Sequence, residues 1–274
     1  MLDVRSLSVT FRRPEGFVRV VDDLSFTLAR GETLGIVGES GSGKSITALA
    51  AIGLLPRGAR AEGQILFEGR DMLALSERER CALRGRRIGM IFQEPMTALN
   101  PAMTVGAQIA EGIRLHTSAT RREARAEALA LLERVRIPDP ARRIDSYPHE
   151  LSGGQRQRVG IAIALALKPD LLIADEPTTA LDVTVQKEVL DILEELVDEL
   201  GLALILISHD LGVIARIADR TLVMLRGRTM EEGPTERVLR HPASSYTSEL
   251  LAALPRRARA GLASSPAADR EPAR

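Results

Sequence analysis

Eight residues constrain this chain more than any others. Gly38-Glu39-Ser40-Gly41-Ser42-Gly43-Lys44-Ser45 satisfies G-x-x-x-x-G-K-S at every fixed position. The apolar run at 33–37 precedes it, and residues 45–55 read as a helix behind it. Strand, loop, helix is the context that gives the pattern its meaning. Glycine carries no Cβ, so the backbone can wrap closely around an anion. Successive N–H groups and the helix N-terminus then face that anion. Lys44 is placed to reach the β- and γ-phosphates of a nucleotide, and the Ser45 hydroxyl to ligate Mg²⁺. Only Lys44, Lys168 and Lys187 are lysines among 37 basic residues. A lysine kept at position 44 suits a site that wants a compact ammonium rather than a planar fork.

A pair of carboxylates fits the same chemistry. Leu171-Leu172-Ile173-Ala174 is a short apolar run, and Asp175-Glu176 ends it. Parallel α/β sheets bind ligands at the C-terminal ends of their strands. Asp175 is therefore placed to hold a Mg²⁺ shell, and Glu176 to orient or deprotonate an attacking water. A third candidate is Ser152-Gly153-Gly154-Gln155. Ser152 caps a helix start, and both glycines expose N–H groups toward a phosphate at the positive end of that helix.

The rest of the chain supplies a frame for these motifs. Residues 2–11 alternate in polarity with one irregularity, as a strand does. A Pro-Glu-Gly turn at 14–16 leads to one or two further strands over 18–28, then a turn at 30–32. Strands are expected at 63–67 and 88–92. Residues 104–135 look helical, 136–148 form a loop containing Pro138, Pro140 and Pro148, and 155–167 and 183–200 read as helices. Residues 202–207 are a buried strand, and strand and helix alternate from there to about 240. The expected class is α/β with a mostly parallel sheet and a mainly helical insertion.

Composition removes several alternatives. Acidic and basic residues balance at 37 each and Trp is absent, so no bulk field or stacking platform argues for nucleic acid. Cys81 is the only cysteine, which forbids an internal disulfide and disfavours a cysteine-built metal site. No secretory signal is evident, and the longest apolar stretches fall far below the roughly 20 residues of a membrane helix. Work at a membrane would need an anchor supplied by something else. The segment 255–274 is rich in Ala, Arg, Pro and Ser and is expected to be disordered.

Leu151-Ser152-Gly153-Gly154-Gln155 lies between the phosphate loop and the acidic pair, and it matches the ABC signature at every position. On these three motifs the chain resembles the ATP-binding subunits of ABC transporters, from Leu2 to about Leu254. The resemblance implies a P-loop NTPase fold (ABC ATPase) with a mostly parallel core sheet, an antiparallel β-subdomain and a helical insertion. It implies one domain over 1–254, with a core of about 1–94 and 168–240 and a helical signature subdomain of about 95–167. It further implies ATP and Mg²⁺ as cofactors, with Ser45, Gln93 and Asp175 around the metal. Gln93 resembles the Q-loop glutamine, which senses Mg²⁺ and the attacking water, and His209 the switch histidine at the γ-phosphate. Ala180-Leu181-Asp182 resembles the D-loop. Phe11 resembles the A-loop aromatic that stacks on adenine, with Phe17 as a nearby competitor.

In that family two ATPase subunits close over ATP, the phosphate loop of one against the signature of the other. The implied partners are therefore a second ATPase subunit (an identical copy or a paired relative), two transmembrane permease subunits and, indirectly, an external solute-binding protein. The implied location is peripheral, on the cytoplasmic face of the cell membrane. Gln93 to Pro101, Tyr147-Pro148-His149-Glu150 and Asp175 to Gln186 resemble the oligopeptide/dipeptide importer branch, whose relatives also take up nickel. Tyr246-Thr247-Ser248-Glu249-Leu250-Leu251 resembles that branch's terminal tyrosine–threonine segment, although Ala243-Ser244-Ser245 separate it from His241-Pro242. A soluble ABC ATPase without a membrane partner, or a non-hydrolysing nucleotide switch, are the alternatives. An intact Glu176 and a single ATPase unit weigh against them.

Overall fold

A computed structural model describes residues 1–14, 16–93, 98–179 and 181–253. The chain forms two compact units, Met1–Arg80 joined with the segment from Ala203 onward, and Cys81–Leu202.

The first unit begins with β1 (Leu2–Arg13) and β2 (Gly16–Leu28), an antiparallel pair. Leu2, Val4, Leu7 and Val9 are buried, so the inward side changes parity between Val4 and Leu7. A bulge causes this: the pairing register shifts there and Ser6 takes φ +46°. This is the irregularity expected from the sequence. β3 (Thr33–Val37) follows, buried along its whole length, and then the phosphate loop and α1 (Lys44–Ala51). The helix ends four residues before the expected position 55. Gly53 at φ +66° donates to Ala50 O, and Leu54 donates to Leu49 O, the two bonds of a Schellman stop. β4 (Ala59–Phe67) pairs antiparallel with β1, and β5 (Arg70–Asp71) with β4, giving the order β2-β1-β4-β5. α2 (Glu77–Leu83) carries the chain out of this segment.

In the second unit, β6 (Ile88–Ile91) is followed by α3 (Val105–His116) and α4 (Arg121–Arg134). The stretch expected to be helical over 104–135 is thus two helices. Thr120 starts the second through a capping box: its hydroxyl accepts from Glu123 N, and the Glu123 carboxylate accepts from Thr120 N. That reciprocal pair favours a new helix start over continuation. A short α5 (Pro140–Arg143) and a 3₁₀ turn (Pro148–Glu150) lie in the region expected to be loop, each with proline in its first turn. α6 (Gly153–Leu165) leads to β7 (Leu171–Asp175), parallel to β6, and α7 (Val183–Leu200) has the expected bounds. Val189, Leu190, Ile192, Leu193, Leu196 and Val197 bury one stripe of α7 at helical spacing. Its other side carries Glu188, Glu195 and Glu199, which pair with Arg158, Arg136 and Arg134.

The chain re-enters the first unit with β8 (Ala203–Ile207), α8 (Leu211–Ile217), β9 (Arg220–Leu225) and β10 (Arg228–Pro234). α9 (Thr235–Arg240) and α10 (Ser245–Ala252) close the described chain. β3 is parallel to both β8 and β9, and β10 is antiparallel to β9. The simple alternation expected after 207 therefore fails at 220–234, where two strands form a hairpin. Arg226 (φ +47°) and Gly227 (φ +83°) make the two-residue turn, with left-handed conformations at both central positions. The architecture is α/β, with parallel strands carrying the loops of interest and an antiparallel sheet at the N-terminal end. Residues 255–274 lie outside the described residues.

Candidate functional site

In the first unit the phosphate loop leaves buried β3 and enters α1. Gly38, Gly41 and Gly43 have φ of +152°, +80° and +101°, values that side-chain-bearing residues rarely adopt. Space forbids a side chain at two of them as well. A Cβ on Gly38 would collide with Met224 O, and one on Gly43 would lie 2.8 Å from Val20 O. The loop is closed by Ser42 N donating to Glu39 O (3.1 Å) and by Gly227 N donating to Ser42 O (2.9 Å). Lys44 is 5% exposed, and its Nζ donates to Gly38 O (2.8 Å) and Glu39 O (2.9 Å). The cation folds back over the loop's own carbonyls. Ser42 Oγ is buried without a hydrogen-bond partner. An orphaned hydroxyl, a buried ammonium and a curl of glycines fit a nucleotide's phosphates.

Two more expected residues lie in this unit. His209 follows β8 and is exposed, between Ser208, whose N–H donates to Ile36 O, and Asp210, which caps α8 through Gly212 N. Phe11 is half-buried in β1 opposite Val18 and Ala59. Phe17 is 69% exposed and lines a surface depression with Arg12, Arg13, Pro14 and Gly16.

The second unit brings together Gln93 and the acidic pair. Asp175 ends β7 and is 4% exposed. Glu176 follows at φ +48°, an uncommon conformation for a residue with a side chain. Its Oε2 accepts from Gln93 Nε2 (3.1 Å) and from Thr179 Oγ1 (2.7 Å). The carboxylate is therefore aimed by two donors, and Thr179 is the one that sequence reasoning missed. The Glu-x-x-Thr spacing across a turn was its only signal.

The Ser152–Gln155 segment has the expected cap. Ser152 Oγ accepts from Gln155 N (3.2 Å), and Gln155 Oε1 accepts from Ser152 N (3.0 Å). Both glycines were expected to face a phosphate. Gly153 is exposed, but Gly154 is buried, and a Cβ there would collide with Val185 Cγ1. Close packing of α6 on α7 explains the second glycine. Asp182 caps α7, accepting from Thr184 N (3.1 Å) and Val185 N (3.0 Å). Ala180 and the stretch Glu94-Pro95-Met96-Thr97 lie outside the described residues.

Among the described residues no cluster of three or more His, Cys, Asp or Glu could hold a metal ion. Mg²⁺ bound chiefly through substrate phosphates, with one carboxylate and one hydroxyl, needs no such cluster. No described helix is long and apolar enough to cross a membrane.

Comparison with known proteins agrees with these features. The family model described as ABC transporter matches residues 21–179. The oligopeptide transport ATP-binding protein of Salmonella typhimurium is 54% identical over 256 residues, covering 93% of this chain and 76% of its own length. The corresponding protein of Haemophilus influenzae is 51% identical, covering 93% of this chain and 79% of its own length. Among solved structures, a dimeric post-hydrolysis ATP-binding cassette bound to ADP and Pi superposes with TM-score 0.77 at 27% identity. It covers 86% of this chain and 99% of that cassette.

Proposed function

The chain belongs to the ABC transporter family, and from that premise we propose that it is the ATP-binding and hydrolysing subunit of an importer for peptides. One observation carries the catalytic half of this reading. Glu176 stands in a strained conformation, two donors fix its carboxylate, and it ends a buried parallel strand. A carboxylate held in that way can accept a proton from an attacking water while its own orientation stays set. The names of relatives above 50% identity support peptides as the transported class.

The remaining roles follow residue by residue. Gly38, Glu39, Ser40, Gly41, Ser42 and Gly43 form the phosphate cradle. Lys44 leaves its carbonyl partners to meet the β- and γ-phosphates. Mg²⁺, when bound, neutralises charge on the transferring phosphate, and Ser45, Asp175 and Gln93 are the groups assigned to it. His209 is assigned to the γ-phosphate and Phe11 to adenine. Ser152, Gly153, Gly154, Gln155 and Asp182 are assigned to the nucleotide of a second subunit. Closure of two subunits gains free energy only while the γ-phosphate is present, so hydrolysis reopens the pair and can drive permease partners between two states. Those partners place the chain peripherally on the cytoplasmic face of the membrane.

The test is Glu176→Gln. Steady-state ATP hydrolysis should fall by about 100-fold or more, the scale on which a positioned general base contributes. Turnover within a few-fold of the unmodified chain would contradict the assignment.

A further inference from the structure

The stretch Tyr147-Pro148-His149-Glu150 is not used by the roles above, yet it runs directly into the signature segment. It forms the 3₁₀ turn at Pro148–Glu150, and Leu151 leads from there to Ser152, the cap of α6. The turn is fixed by its own backbone. Glu150 N donates to Tyr147 O (3.0 Å), and the Glu150 carboxylate accepts from Tyr147 N (2.7 Å). Pro148 is buried and presets the first φ of the turn. Arg156 Nε donates to Leu151 O (2.9 Å), which ties the end of the turn to α6. The side chains flanking Pro148 therefore stand in a set arrangement. The Tyr147 and His149 rings stack, with centroids 5.7 Å apart and planes 15° from parallel. Tyr147 is 40% exposed, and His149 is exposed as well. Rings kept for packing are buried. This pair instead holds aromatic surface in water, five residues ahead of a helix cap assigned to phosphate.

In the function proposed above, Ser152 meets the triphosphate of an ATP held by a second subunit. The stretch from Tyr147 to Ser152 spans at most about 17 Å. A nucleotide gripped at Ser152 by its terminal phosphate therefore carries its base within range of the rings. One face of that base is assigned to Phe11, which is half-buried in β1 and offers a single ring. The other face is left for the second subunit. We propose that the Tyr147–His149 stack is the second wall of the adenine site: when two subunits close, the rings of one stack on the adenine bound by the other. The subunits then share the base as well as the phosphates, and closure gains from both. The proposal rests on the two-subunit ATPase reading.

The experiment uses the full chain carrying Glu176→Gln, alone or mixed with a paired ATPase relative, and follows ATP·Mg-driven assembly by light scattering. Adding Tyr147→Ala and His149→Ala together should raise the ATP concentration for half-maximal assembly about 5- to 150-fold, the worth of one base–aromatic stack. Irradiation of the assembled chain with 8-azido-ATP, whose azide sits on the base, should label Tyr147 or His149 within the tryptic peptide that runs from Ile144 to Arg156. An unchanged half-maximal concentration would overturn the proposal. A raised concentration with the label confined to other peptides would also overturn it, because that pattern marks a purely structural role for the turn. A chain that binds ATP yet assembles neither alone nor with the relative would overturn the two-subunit reading itself, so the two failures are distinguishable.

Discussion

At the residue scale, the site is built from groups whose alternatives are excluded sterically or electrostatically. Gly38 and Gly43 cannot carry a Cβ, and the buried Lys44 ammonium donates to two carbonyl oxygens of the loop. Lys44→Ala should therefore weaken ATP binding by at least about 10-fold, because a desolvated charge-assisted contact is lost. Unchanged affinity in a fluorescence titration would remove Lys44 from the site. Gly154→Ala should act on stability instead. A methyl group pressed onto Val185 costs about 1–3 kcal/mol, read as a shifted denaturant midpoint. The sequence made most of this site legible because phosphate chemistry needs rare residues at fixed spacing, as in residues 38–45. Gly154 carries a packing demand that the sequence hides: a glycine required by a neighbouring helix is indistinguishable, in one sequence, from a glycine required by a ligand. Thr179 was missed because a threonine three residues after an acid is common in turns, and only the fold shows which oxygen it meets.

At the element scale, legibility followed amphipathic contrast. α7 was readable to its ends because an apolar stripe, the Asp182 cap and Gly201 at φ +62° agree on its length. The division between α3 and α4 was hidden because both halves share one helical periodicity, and the break lies in hydroxyl caps at Thr117 and Thr120. The β9–β10 hairpin was hidden because β10 is mostly polar, so no apolar alternation announces it. α10 yields a prediction at this scale. Burial alone would raise the Glu231 carboxyl, but donation from Ala243 N and Ser244 N, with the Thr247 hydroxyl and Arg237 nearby, holds it below its ordinary value. A carboxyl lowered in the folded state stabilises fully above its ordinary pKa of 4.5, and that share is lost as pH falls through the folded value. Near neutral pH, Glu231→Gln should be less stable than the unmodified chain by about 1–3 kcal/mol, since charged acceptors bind buried N–H groups more strongly. The difference should shrink as pH is lowered below 4.5 in paired urea melts. A gap that stays constant down to the acid transition would show that the charge plays no part.

At the scale of the whole molecule, the central claim is that one chain holds half of each nucleotide site. The phosphate loop and the signature segment are both intact, and the proposed function has a second subunit bring a signature to each loop. The solved cassette that this chain resembles is dimeric in its post-hydrolysis state, which supports that arrangement. The motifs announce the two half-sites in sequence but leave open whether the second subunit is an identical copy, since each half reads the same in either case. The most direct measurement is the solution mass of Glu176→Gln by light scattering, with and without ATP·Mg. A chain of 29.7 kDa should double in mass only when ATP is present, and the further change Ser152→Arg should abolish the doubling while leaving the fold intact. ATP bound at full occupancy to a species that stays at monomer mass, both alone and after mixing with a paired ATPase relative, would contradict the account.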